Sequence, residues 1–269
     1  MILSRRNLLL SAAATGAAGA LAPLTSVLAA PASGPVADPK LAGLLDAFVG
    51  EILTDSPEGA TSLGLDKGAL AGLKSRLSDY STAGRRAQVA AYADRARRVA
   101  AIDPKTLTPR DLTLRDTVLA AQQMGAEGGA FSYGGDSANP YVVSQQGGTV
   151  SFVPEFLNSQ HSVESAADVE AYVARLRGFA TAITQETARI GEDASIGVIA
   201  PDFILDNALA QLSDLRAQAP ADTRLVGSLA ERAKAKGLAD PSAQATRIVR
   251  DEVFPALDAQ IAALKAARA

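Results

Sequence analysis

Apolar positions recur at helical steps along most of this chain. Leu41, Leu44, Leu45, Phe48 and Ile52 fall three and four residues apart, marking one face of a helix that opens near Lys40. Val169, Tyr172, Val173, Leu176, Phe179, Ile183 and Ile190 form a longer stripe of the same period, and Ser165-Ala166-Ala167-Asp168 ahead of it reads as a cap. Further helices are expected over about 82–102, 108–123, 202–216 and 223–236. A last segment runs from Asp240-Pro241 to the C-terminus, where Pro255 should kink or divide it. Thr108-Pro109 starts a helix, with Thr as cap and Pro at the first helical position, where its missing N–H matters least. The fold expected is all-α, an irregular bundle of about seven helices.

Between the periodic stretches the pattern breaks. Ser56-Pro57-Glu58-Gly59 reads as an interruption, and the glycines of 60–80 suggest loops with short helical turns. Residues 125–161 carry Gly134-Gly135, Asn139-Pro140 and Gly147-Gly148, and read as one long irregular segment with room for a short strand. Irregular segments this long are commonly functional or pinned by a partner. Arg85, Arg86, Arg95, Arg97 and Arg98 are read on solvated faces of their helix. The acids Glu192-Asp193 and Asp251-Glu252 are read the same way.

The N-terminus is different in kind. Arg5 and Arg6 precede an uncharged, alanine-rich run from Leu8 to Leu28 that Gly16, Gly19 and Pro23 interrupt. A membrane span needs about 20 strongly apolar residues, and this run is too weakly hydrophobic. A paired arginine before such a run reads as a twin-arginine signal peptide over residues 1–29, cleaved near Val27-Leu28-Ala29. A proline-rich tether follows at 30–39, then a helical domain over 40–269. The destination expected is the periplasm or the medium, with no membrane association after cleavage.

Composition narrows the chemistry. Removing residues 1–29 takes Arg5 and Arg6 from the 26 basic residues and none of the 29 acidic ones, so the net charge moves from −3 to −5. No basic stripe or aromatic platform remains for nucleic acid. There is no cysteine, which excludes disulfides, thiolate metal sites and cysteine nucleophiles. There is one histidine, His161. Zinc sites usually draw on two or three imidazoles, so no cofactor or metal is expected. His161 sits ahead of the best helix, where it could contact a ligand or transfer a proton, or be a hydrogen-bonded structural residue. Tyr172 and, three residues after it, Arg175 lie on that helix and join His161 as candidate ligand contacts. Arg175 could meet a carboxylate, or simply be an exposed helix arginine.

Several ordered motifs point to one family. Ser56-Pro57-Glu58-Gly59-Ala60-Thr61-Ser62-Leu63-Gly64-Leu65 is followed by Leu77-Ser78-Asp79-Tyr80-Ser81 and Asn139-Pro140-Tyr141. Phe156-Leu157, Gln160-His161, Tyr172-Val173-Ala174-Arg175-Leu176 and Gly197-Val198-Ile199-Ala200-Pro201-Asp202-Phe203-Ile204-Leu205 come after them. In order and spacing these resemble the bacterial domain of unknown function 885, whose members are zincin-like metallopeptidase relatives. The resemblance implies the N-terminal helical portion of such a protein, with the zinc-binding helix in a longer C-terminal part that lies beyond the matching residues. It therefore implies a chain without catalysis of its own. An uncovered apolar surface would then lead to self-association or dependence on a second polypeptide, as in a split metallopeptidase. The alternatives are a complete periplasmic binding or protein-interaction module, and a metal-free hydrolase centred on His161.

Overall fold

The computed structural model describes residues 36–135 and 139–268, so Arg5, Arg6 and the expected signal peptide lie outside the described residues. No strand occurs among the described residues, and the all-α expectation holds. Ten α-helices are found there, against about seven expected: α1 (Pro39–Asp55), α2 (Pro57–Ser62), α3 (Thr82–Ala100), α4 (Pro109–Glu127), α5 (Thr149–Ser159), α6 (Ala166–Ser195), α7 (Asp202–Arg216), α8 (Arg224–Ala235), α9 (Ser242–Ile248) and α10 (Phe254–Arg268).

The additional helices have identifiable causes. Ser56-Pro57 is a break that restarts the chain as a helix: the Ser56 hydroxyl accepts from the Gly59 amide, and Pro57 occupies the first position of α2. Helix α5 lies inside the segment expected to be irregular. Pro154 within it and Gly147-Gly148 before it hide its periodicity, yet Val153, Phe156 and Leu157 are buried on its inner face. The last segment divides as expected. The π-helical turn Val249–Val253 separates α9 from α10, just before Pro255, which has no N–H to give to a helical bond.

The chain forms two compact units. The first comprises the described residues up to Ile52 together with Ala91–Met124. Its core is Leu41, Leu45, Phe48 and Val99, with Leu107, Leu114 and Val118 packed against it. Asp111, 1% exposed, ties down the residues ahead of α1 by accepting from the Ala37 and Asp38 amides at 2.9 and 3.1 Å. Arg95 is a correction to the solvated-face reading. It is 3% exposed and bonds Glu51 at 3.0 Å, while Arg98 shares that carboxylate and stacks on Phe48.

The second unit comprises Leu53–Ala90 and Gly125–Ala269, and α6 is its axis. Every residue of the predicted stripe from Val169 to Ile190 is buried there. Against α6 pack α5, α8, α9, α10 and the 3₁₀ turn Gly68–Ser75, with α7 laid on α10. No helix among the described residues is long and apolar enough to cross a membrane.

Candidate functional site

Helix α6 starts with a full capping box. The Ser165 hydroxyl accepts from the Asp168 amide, and the Asp168 carboxylate accepts from the Ser165 amide at 2.9 Å. Asp168 also accepts from the Glu164 amide and pairs with Lys74, and its carboxyl titrates below the usual range because Lys74 and these amides outweigh the effect of burial. The cap fixes the first turn of α6, and its Asp168 carbonyl is aimed at His161.

His161 is 1% exposed, and both ring nitrogens are engaged. Nε2 lies 3.0 Å from the Asp168 carbonyl oxygen, and Nδ1 lies 2.9 Å from Nη1 of Arg175. A carbonyl only accepts and a guanidinium only donates. The proton therefore sits on Nε2, the lone pair on Nδ1, and the imidazole is neutral. Burial pushes its pKa down to about 4, and Arg175, Lys74 and Arg232 push the same way.

Arg175 is the centre of the cluster and is fully buried, which corrects the reading of it as an exposed arginine. Nε donates to the Arg76 carbonyl at 2.9 Å. Nη2 donates to Thr61 Oγ1 at 2.7 Å and to the Leu73 and Pro57 carbonyls at 3.2 and 3.3 Å. Its plane lies over the Phe156 ring, 4.8 Å from the centroid. The Thr61 hydroxyl donates in turn to the Asp66 carboxylate at 2.9 Å, and Glu58 accepts from the Ser78 and Tyr80 hydroxyls at 2.7 and 3.1 Å. Burial lowers the Arg175 pKa to about 10, with Glu58 and Asp66 opposing, so it stays charged at neutral pH. One side chain thus fastens α2, the 3₁₀ turn Gly68–Ser75 and the His161 loop to α6.

Tyr172 stands edge-on to His161, with ring centroids 5.3 Å apart, and donates to the Leu225 carbonyl at 3.0 Å. Burial raises its pKa. Arg232 of α8 lies over the Tyr172 ring and donates to the His161 and Leu157 carbonyls. The structure therefore brings His161, Tyr172 and Arg175 together, and closes all three off from solvent with protein partners. The cluster holds one protonation state and one geometry; it offers no exposed acid, base or nucleophile.

A second buried polar cluster centres on Glu186, which the sequence reading does not single out. Glu186 caps α5 from a distance, accepting from the Thr149 amide at 2.8 Å and the Thr149 hydroxyl at 2.7 Å. Gly148, the residue at that cap, has no side chain to do so. Burial pushes the Glu186 carboxyl up to about 7, against the opposing pull of Thr149, Gln260 and Arg189. Nearby, Arg189 and Arg85 converge on the Gly134 and Gly135 carbonyls. Asp193 accepts from the Gly134 amide at 2.8 Å. Asp193 is 7% exposed, which corrects its assignment to a solvated face. The Gly134-Gly135 pair was the available signal for this anchor. Among the described residues, no group of three or more His, Asp or Glu could hold a metal ion.

The fold has a solved counterpart. A protein of Colwellia psychrerythraea described as a "putative lipoprotein" superposes with a TM-score of 0.74 at 16% identity, over 84% of this chain and 41% of its own. The chain thus spans 41% of the length of that structure. No curated protein matches. The family model for "Bacterial protein of unknown function (DUF885)" matches residues 57–269, which include both buried clusters, and the chain belongs to that family.

Proposed function

We propose that this chain is the helical, non-catalytic portion of an exported protein of metallopeptidase type, a scaffold that works with polypeptide beyond it. The observation that carries the reading is His161. It is the one imidazole of the sequence, and both of its nitrogens are committed to Asp168 and Arg175 inside a closed cluster. A zinc-hydrolase helix needs two imidazoles four residues apart to face one metal. Supporting it, the fold recurs within a chain of which it makes up 41%. Arg5 and Arg6 support the export, through the twin-arginine route to the periplasm.

The test uses the purified chain. Elemental analysis is expected to find no stoichiometric zinc, and a mixed peptide substrate is expected to remain uncleaved. Stoichiometric zinc, or turnover abolished by His161→Asn in a folded protein, would overturn the reading.

A further inference from the structure

Glu186 is a carboxyl enclosed by three helices. It stands on α6, is 2% exposed, and meets the start of α5 and the side of α10. Its hydrogen-bond partners are the Thr149 amide and hydroxyl, at 2.8 and 2.7 Å, and Gln260 Nε2 at 3.4 Å, a long and weak contact. No ion pair reaches it among the described residues. Gln260 Oε1, on the same amide, is buried without a partner. The enclosure is rich in acceptors and poor in donors, which suits a neutral carboxyl and penalises a carboxylate.

Two titratable groups face it among the described residues. Arg189, three residues on along α6, favours the charged form, but its own donors go to the Tyr80, Gly134 and Gly135 carbonyls. Tyr80, on the segment ahead of α3, donates to Glu58; burial, Glu58 and Glu186 raise its pKa, so it stays neutral. Helices α5 and α10 contribute the uncharged Thr149 and Gln260.

Helix α5 depends on this carboxyl for its N-terminus. Gly148 brings no capping side chain, Pro154 removes a helical hydrogen bond, and the helix is 11 residues long. Helix α10 has 15 residues, with Phe254, Leu257 and Leu264 buried. Of the two walls that seal Glu186 from water, α5 is the one that yields more easily.

We propose that Glu186 is a proton-sensitive latch on α5. Protonated, it holds Thr149 and closes α5 on α6; ionised, it reaches water by releasing the first turn of α5. The sign follows from the two environments. In water the carboxyl titrates near 4.5 and in the enclosure at about 7, so the closed form holds more protons between those values. Opening becomes easier as pH rises through that window and levels off above it. The latch is independent of whether the chain is part of a metallopeptidase.

The test is amide hydrogen exchange on the full chain between pH 4.5 and 8, scaled for the intrinsic pH dependence of exchange. Protection of the Thr149, Phe152 and Val153 amides should fall by roughly 100-fold, the change that the two titration points set. The fall should level off at the midpoint of the Glu186 carboxyl titration, followed by its carbon-13 shift. Val173, Leu176 and Ile183 of α6 should keep their protection, and Glu186→Gln should flatten the response of α5. A carboxyl that titrates while α5 stays protected, or a loss that α6 shares equally, would overturn the proposal, and neither readout needs a variant. So would the parent's pH response persisting in Glu186→Gln.

Discussion

Arg175 shows how much one buried cation can organise when each of its three nitrogens finds an acceptor. Its guanidinium meets three carbonyls, a hydroxyl and an imidazole, and its charge is balanced at one remove by Asp66 and Glu58. Arg175→Met would leave those acceptors buried and unpaired, and we expect a loss of about 3 kcal/mol in urea unfolding. Arg175→Lys should recover only part of it, because an ammonium cannot reproduce the planar fork. His161 and Glu186 give a pH prediction of opposite signs. Unfolded His161 titrates near 6.5 and folded His161 near 4, so between those values the unfolded chain holds more protons and stability rises with pH. Glu186 moves from 4.5 to about 7, so over that window the folded chain holds more protons and stability falls with pH. The two contributions offset each other across most of the range from 4.5 to 6.5. Glu186→Gln removes one of them. Relative to the parent, its unfolding free energy should climb between pH 4.5 and 7 by roughly 3 kcal/mol, the value of such a pKa difference. A difference that stays level with pH would show that Glu186 is not held in the protonated form.

At the scale of elements, helix ends are fastened by residues distant in sequence. Helix α6 is capped locally by Ser165 and Asp168, a motif legible in the sequence. Helix α5 is capped by Glu186, 37 residues away, and no local pattern announces it. The loop ahead of α5 depends on Gly134. Its φ is +78°, and a Cβ there would meet the Asn139 and Pro140 carbonyl oxygens at 2.7 and 2.8 Å. Gly134→Ala combines left-handed backbone strain with that overlap. We expect a loss of at least about 1 kcal/mol and faster proteolytic cleavage between Phe131 and Gly148, measured by limited digestion against the parent protein.

At the scale of the whole chain, the turn from α6 to α7 exposes Ile196, Ile199 and Phe203 at 61%, 42% and 65%. Large apolar side chains gathered on a surface mark contact sites more often than singly scattered ones do. The proposed function predicts that self-association of the isolated chain uses this surface. Ile199→Ser with Phe203→Ser should leave folding stability within about 0.5 kcal/mol, as surface changes do, while lowering the average mass measured by light scattering at high concentration. An unchanged mass would place any association elsewhere.

The sequence by itself determined the helical class, the buried stripe of α6, the Ser165 and Thr108 caps, the division of the last segment at Pro255 and the family motifs. These are local properties: periodicity, capping chemistry and proline geometry act within one or two turns. Only the tertiary structure decided that Arg95, Arg175 and Asp193 are buried, that His161 is locked as one neutral tautomer, and that α5 forms despite Pro154. In each case the outcome depends on partners tens of residues away: Glu51 for Arg95, Thr61 and Leu73 for Arg175, Gly134 for Asp193, Glu186 for α5. A charged residue is read as exposed until a counter-group is shown to reach it, and sequence spacing does not carry that information.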